Sequence, residues 1–274
     1  MKSFAQKRPI VFGIVFTIAV LVGYLAINAL LYSLVGSSVG SAQGKFIDTA
    51  VKAAFFIPAA ILLGFLIKGN GFGHTFSAKG FGRGLIAAIP VFLCLLPIVV
   101  IYFNAQGARQ ELLPDIPAII AQQAATGLFE ETLFRGLLLT AFLIRWGGSA
   151  GGRVLAALVS AVPFGAIHIL NIFFGMEVQD ALLQALVAMA PGIMFAAVYV
   201  FSKSLLLCVI LHAVWDVFMH GLELIVRQAN ALEDAMNLSA DWAIMAVGPL
   251  LAIVVIVLAR PFRLSMPDTP TQGI

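Results

Sequence analysis

The sequence predicts an all-α fold: a polytopic membrane helix bundle of about eight transmembrane helices. Three observations carry this reading. Of the 274 residues, 61% are hydrophobic and only 11% are charged, whereas a soluble domain carries about 25% charged residues. Mean hydropathy is +1.04. The apolar residues also gather into runs long enough to cross a hydrocarbon core of about 30 Å, with short polar loops between them.

The first run, residues 11–36, follows Lys7 and Arg8. It is longer than a signal-peptide core of about 7–15 residues, so it reads as a retained first span. The remaining runs are 47–67, 85–103, 117–144, 154–174, 181–201, 205–226 and 242–259. Pro58, Pro90, Pro97, Pro163, Pro191 and Pro249 fall inside them. Membrane helices tolerate such prolines when neighbours satisfy the freed carbonyls, so kinks are expected there and not breaks.

Lys/Arg bias sets the orientation. Eleven basic residues fall on one side of the predicted spans: Lys2, Lys7, Arg8, Lys68, Lys79, Arg83, Arg145, Arg153, Lys203, Arg260 and Arg263. Four fall on the other: Lys45, Lys52, Arg109 and Arg227. The acidic residues Glu111, Asp115, Glu177, Asp180, Glu233 and Asp234 gather with the four. Both termini are therefore expected in the cytoplasm, with the chain integral to a prokaryotic inner or plasma membrane. The scattered basic residues and net charge of +3 do not make a nucleic-acid surface. Residues 1–260 read as a single transmembrane domain, and 261–274 as a disordered cytoplasmic tail. The Gly-rich stretch Gly69 to Gly84 lacks the strand and lysine of a phosphate-binding loop, so it reads as a flexible cytosolic loop. Cys94 and Cys208 lie in apolar runs and read as buried free thiols.

Against this background LFEETLFRG, Leu128 to Gly136, stands out, because three charges sit inside a span. Each ionisable group at the bilayer centre costs about 2.5–3.5 kcal/mol on insertion scales, so the three should face protein or a wet cavity. Arg135 follows Glu131 by four residues and shares its helix face, so those two can pair. Glu130 points about 100° away and is the freer carboxylate. Two further spans bring polar groups to membrane depth. One holds Phe164, His168 and Asn171; the other holds His212, Asp216 and His220. His212 and Asp216 share a helix face, as do Phe164 and His168. His220 reads as an interfacial or packing residue and His74 as a solvated loop residue.

Two histidines and a glutamate with an open fourth position form a common ligand set for catalytic zinc, which would lower the pKa of bound water to about 7. A carboxylate beside an imidazole also activates water without metal. Either chemistry is hydrolysis and needs a donor for the developing oxyanion, a role open to His212. The spacing is not the HExxH of a single zinc-binding helix; here the groups must converge from three helices. Straight helices would leave His168 and His212 about 10 Å apart in depth.

EETLFR (Glu130 to Arg135) matches EExxxR, FGAIH (Phe164 to His168) matches FxxxH, and HAVWD (His212 to Asp216) matches HxxxN/D. In this order, in separate spans, the chain resembles the CPBP family of intramembrane metalloproteases, also described as CAAX-protease, bacteriocin-processing, Abi or type II CAAX prenyl endopeptidase-like. The motifs cover about 117–220. The resemblance implies a membrane-embedded endopeptidase in which Glu130 is base or ligand and Glu131 with Arg135 is its support. His168 would bind water or metal, and His212 with Asp216 would complete the site. It implies zinc held by Glu130, His168 and His212. The expected partners are the lipid bilayer and a membrane-associated peptide or protein substrate, with no nucleic acid. Prenyl-protein maturation, bacteriocin self-immunity and surface-protein display all occur among members. Two other functions fit the same residues: a proton-coupled transporter using them as a relay, and a non-catalytic membrane scaffold that retains the motifs.

Overall fold

The computed structural model describes residues 1–36, 42–67, 76, 78–104, 114–221 and 246–262. Among these residues all regular structure is helical. The chain order is α1 (Lys2–Lys7), α2 (Pro9–Val35), α3 (Ala42–Leu66), α4 (Phe81–Ala87), α5 (Ile89–Asn104) and α6 (Ile116–Glu131). A π-helical stretch (Thr132–Leu139) joins α6 to α7 (Thr140–Trp146). Then come α8 (Ala150–Ala166), a 3-10 stretch (Ile167–Phe174), α9 (Val178–Ser202), α10 (Leu205–Asp216), a short π turn (Val217–Gly221) and α11 (Gly248–Leu258).

The fold class is the expected one. Among the described residues four helices are long and apolar enough to cross a membrane: Pro9–Val35, Gln43–Leu66, Ala150–Phe173 and Val178–Ser202. The other four predicted runs also hold helices, but in shorter pieces or beside residues outside the described set, so eight full spans are not established. Pro58, Pro97, Pro163 and Pro191 lie inside helices as expected. The run 85–103 behaves differently. It divides at Ala88 into α4 and α5, with Pro90 in the first turn of the second piece, where a missing N–H costs least. Pro249 likewise takes a first-turn position in α11.

Large apolar side chains such as Val22, Leu34, Leu182 and Leu186 point outward. In water such a surface would be an aggregation liability; against acyl chains it is the solvated face. The middle of the bundle is the α6–π–α7 helix, buried without interruption from Glu131 to Leu143. It packs against α2, α3, α8 and α10, while α9 lies between α8 and α11.

One end of the bundle collects the basic residues. Arg153, expected in a loop, lies in α8 and is buried. It donates Nη2 to the carbonyls of Ala259 (2.7 Å) and Val257 (3.3 Å) and Nε to that of Ile256 (3.3 Å), capping α11. Lys203 sits 5.6 Å over the Phe262 ring. Burial first, and the Arg83 charge second, lower its ammonium from the ordinary lysine value. The Phe262 N–H donates to Gly147 O at 2.9 Å. Phe262 is thus buried, and the ordered chain extends past the point where the tail was expected to begin. Its aromatic ring has a niche beside Tyr199, 6.3 Å away. The rest of the tail, 263–274, lies outside the described residues, as do 68–75 and 77 of the Gly-rich stretch. The end of that stretch is not loop: Phe81 to Gly84 open α4.

Candidate active site

The site is built on the α6–π–α7 helix. Glu131 is the last residue of α6 and is fully buried. Its Oε1 lies 2.8 Å from Arg135 Nη1, the pair expected from their spacing. After Glu131 the helix widens. The Thr140 hydroxyl donates to Arg135 O, five residues back, at 3.0 Å and shares a 2.8 Å hydrogen bond with Tyr199 Oη. A π stretch rotates the following side chains relative to an α-helix, and such stretches recur at functional sites. Arg135 is held from several directions. Phe164 lies 4.1 Å below its guanidinium, Phe195 is 5.4 Å away, and Nη2 donates to Gly192 O at 3.3 Å.

α10 brings His212 to the same carboxylate. His212 Nδ1 contacts Glu131 Oε1 at 2.7 Å, and Nε2 lies 3.3 Å from Asp216 Oδ2. Carboxylate oxygens only accept, so each contact needs a proton on the nitrogen or on the carboxyl. Phe195 stacks on the ring at 5.2 Å. The close crossing of α6 and α10 depends on Gly127. A Cβ there would stand 2.9 Å from Val209 O and 3.2 Å from Ala213 N. Gly127→Ala is therefore expected to push α10 outward at a cost of about 1–3 kcal/mol and to lengthen the His212–Glu131 contact. A thermal melt in detergent and the activity of the variant read the two effects; an unchanged melt would contradict the packing.

His168 comes from the 3-10 stretch that continues α8. Its Nδ1 lies 3.1 Å from Phe164 O and 3.2 Å from Gly165 O. Carbonyls accept, so Nδ1 carries the hydrogen and Nε2 is left as the acceptor. Gly165 permits the close contact of this segment with α9, because a Cβ would meet Ala185 O at 2.4 Å. The Phe164 ring stands 5.8 Å from His168 and 5.9 Å from His212. The depth difference expected of straight helices does not keep the histidines apart. Both line the same two cavities, with the 3-10 stretch beginning just before His168.

Both histidines line two cavities that meet at them. The first, of about 220 Å³, also touches Glu130, Asp216, Tyr24, Lys52 and Thr126. The second, of about 290 Å³, shares His168, His212 and Asp216 but is otherwise largely apolar, with Leu183, Val187, Trp215 and Met219 in its wall. Glu130 is the expected freer carboxylate. It is 13% exposed, and its Oε2 stays 3.9 Å from His212 Nε2. The structure thus brings Glu130, His168, His212 and Asp216 to shared cavities, with Glu131 and Arg135 behind them. The His220 side chain and His74 lie outside the described residues.

Sequence reasoning missed a second polar cluster beside this cavity. Tyr24 Oη donates to Asp48, Lys52 Nζ lies 2.8 Å from Asp48 Oδ2, and Lys52 donates to Thr126 Oγ1 at 3.0 Å. Its only sequence signal is the i,i+4 pair Asp48–Lys52 inside an apolar helix. Nothing local announces Tyr24 or Thr126 as their partners.

Zinc on Glu130, His168 and His212 was the expectation. Among the described residues no three His, Cys, Asp or Glu side chains stand as a metal-holding group. His212 Nδ1 is taken up by Glu131 at 2.7 Å, while Nε2 faces Asp216 at 3.3 Å and Glu130 at 3.9 Å. The donor types suit zinc.

No curated protein and no solved structure matches the chain. Its motif-bearing part does have a counterpart: residues 112–218, which hold Glu130 through Asp216, match the family described as type II CAAX prenyl endopeptidase Rce1-like, the family to which the three motifs point.

Proposed function

We propose that this protein is an intramembrane endopeptidase that hydrolyses a peptide bond with a water activated by Glu130. The observation that carries this is the division of labour between adjacent carboxylates. Glu131 is immobilised by Arg135 and His212, while Glu130 borders a cavity with His168, His212 and Asp216. The match of residues 112–218 supports the same activity.

In this reading a water donates one hydrogen bond to Glu130 and one to His168 Nε2. Glu130 takes its proton as the oxygen attacks the peptide carbonyl carbon. The carbonyl oxygen becomes an oxyanion and accepts a hydrogen bond from His212 Nε2–H, which Asp216 orients. Collapse of the tetrahedral intermediate breaks the C–N bond, and Glu130 returns the proton to the leaving amine. The apolar cavity beside the histidines seats apolar side chains of the peptide, and the polar one holds the water. At about 30 Å³ per molecule, 220 Å³ has room for several waters.

Zinc on Glu130, His168 and His212 would supply a bound water of pKa about 7, whereas the reading above assigns the activation of water to Glu130 alone. The expected result is therefore that purified protein cleaves apolar peptides in detergent and goes on cleaving them in the presence of a chelator. New peptide termini read by mass spectrometry, alongside zinc content per chain, check this. Loss of cleavage on chelation, restored by zinc, would replace the metal-free reading. Absence of cleavage across a broad peptide set would sink the peptidase assignment itself.

A further inference from the structure

Most basic residues of the described chain lie at one end of the bundle and Asp115, Glu177 and Asp180 at the other, and the cavities around the site extend toward the second of these ends. Arg153, Gly147, Phe262, Lys203 and Arg83 meet at the basic end, and Gly80 packs against Ser202 there. By the Lys/Arg bias this end is cytoplasmic. The opposite end is formed by the last turns of α2 and the first turns of α3, α6 and α9. It carries Asp115, Glu177 and Asp180.

The Glu130 cavity continues toward that opposite end. It shares Tyr24, Lys52 and Asn171 with an adjoining cavity of about 160 Å³. Asn28, Tyr32, Lys45, Asp48 and Gln122 complete the lining of the latter. Tyr32 lies within four residues of Gly36, where α2 ends; Lys45 is in the first turn of α3; and Gln122 is in the second turn of α6. Lys45 is exposed. The apolar cavity also reaches this end, because its wall includes Asp180 in the first turn of α9. The Lys52–Asp48 pair, with Tyr24 and Thr126, stands where the two polar cavities join. Four polar side chains at membrane depth are costly beside lipid, and a hydrated passage removes that cost.

We propose that the site is served from the non-cytoplasmic face of the membrane, through a vestibule whose waist is the Lys52–Asp48 pair. The peptide cleaved is then one presented on that face, and not a cytosolic chain end. This rests on the peptidase reading for the identity of what passes, and on the charge bias for the direction.

Single cysteines separate these two supports. Lys45→Cys and Gln122→Cys mark the vestibule, and Gly148→Cys marks the exposed basic end; native Cys94 and Cys208 are buried. A membrane-impermeant maleimide is applied to intact cells and to inverted vesicles containing the full chain. The expected result is labelling of Lys45→Cys in intact cells and of Gly148→Cys only in inverted vesicles. The reverse pattern would overturn the proposal. Labelled Gln122→Cys is then compared with the same variant unlabelled. Loss of peptide cleavage is expected, and full cleavage after complete labelling would overturn the vestibule as the route. If unlabelled wild type cleaves nothing, the peptidase reading has failed, while the labelling pattern still decides which face the vestibule opens to.

Discussion

Glu130→Gln is expected to lower kcat by about 10²- to 10⁴-fold, the contribution of a positioned general base, and to leave the fold intact. Glu130 is 13% exposed, and its nearest ionic neighbour, His212 Nε2, is 3.9 Å away. An amide of the same shape therefore loses little, and a melt within about 0.5 kcal/mol of wild type follows. The loss should fall equally on kcat and kcat/KM, because proton abstraction belongs to the transition state and not to substrate binding. The neighbouring Glu131→Gln is the control. Glu131 is fully buried, and its Oε1 is shared by Arg135 and His212, so that variant should unfold at lower temperature. Steady-state kinetics and thermal melts of the two proteins separate base from scaffold. Cleavage by Glu130→Gln within a few-fold of wild type would remove Glu130 from its proposed role.

What the sequence made legible was the part of the site that lies along single helices. Glu131 with Arg135, His212 with Asp216 and Phe164 with His168 are each four residues apart, and all three pairs are in contact. Helical periodicity fixes such pairs before any tertiary structure forms. The contact between Glu131 and His212 spans 81 residues of sequence. It depends on how closely α6 and α10 approach, and therefore on Gly127. Lys52 shows the limit most clearly. Read along the chain it is one of four basic residues opposite the cytoplasmic side. In the fold it binds Asp48 and Thr126 at the cavity edge. Whether His168 and His212 meet was likewise not readable along the chain, because it depends on how the helices sit against each other; in the fold both line the same cavities. Arg153 falls just before the apolar run 154–174 and so reads as a loop residue. Here backbone carbonyls at the end of α11 satisfy it inside the bundle.

The charges in LFEETLFRG thus have two different physical reasons. Glu130 faces space where water can stand, whereas Glu131 and Arg135 organise the wall behind it. That wall predicts the second large effect. Arg135→Ala is expected to destabilise the protein by about 3–5 kcal/mol, the cost of breaking a buried ion pair from one side. The guanidinium does more than neutralise Glu131. It lies between Phe164 and Phe195, which themselves pack on the two histidines. A desolvated cation over an aromatic ring contributes about 2 kcal/mol, and truncation also leaves a void between the rings. Lysine keeps the charge but has no planar face to fill that slot, so Arg135→Lys should recover only part of the loss. If electrostatics and stacking act together, Arg135→Lys melts between wild type and Arg135→Ala. In a double-mutant cycle Arg135→Ala should also couple to Glu131→Gln by about 0.5–3 kcal/mol, as expected for residues in one network. Thermal melts of the three variants and the double variant in one detergent measure both quantities. An Arg135→Ala protein as stable as wild type would show that His212 alone balances Glu131, and that the wall does not depend on the arginine.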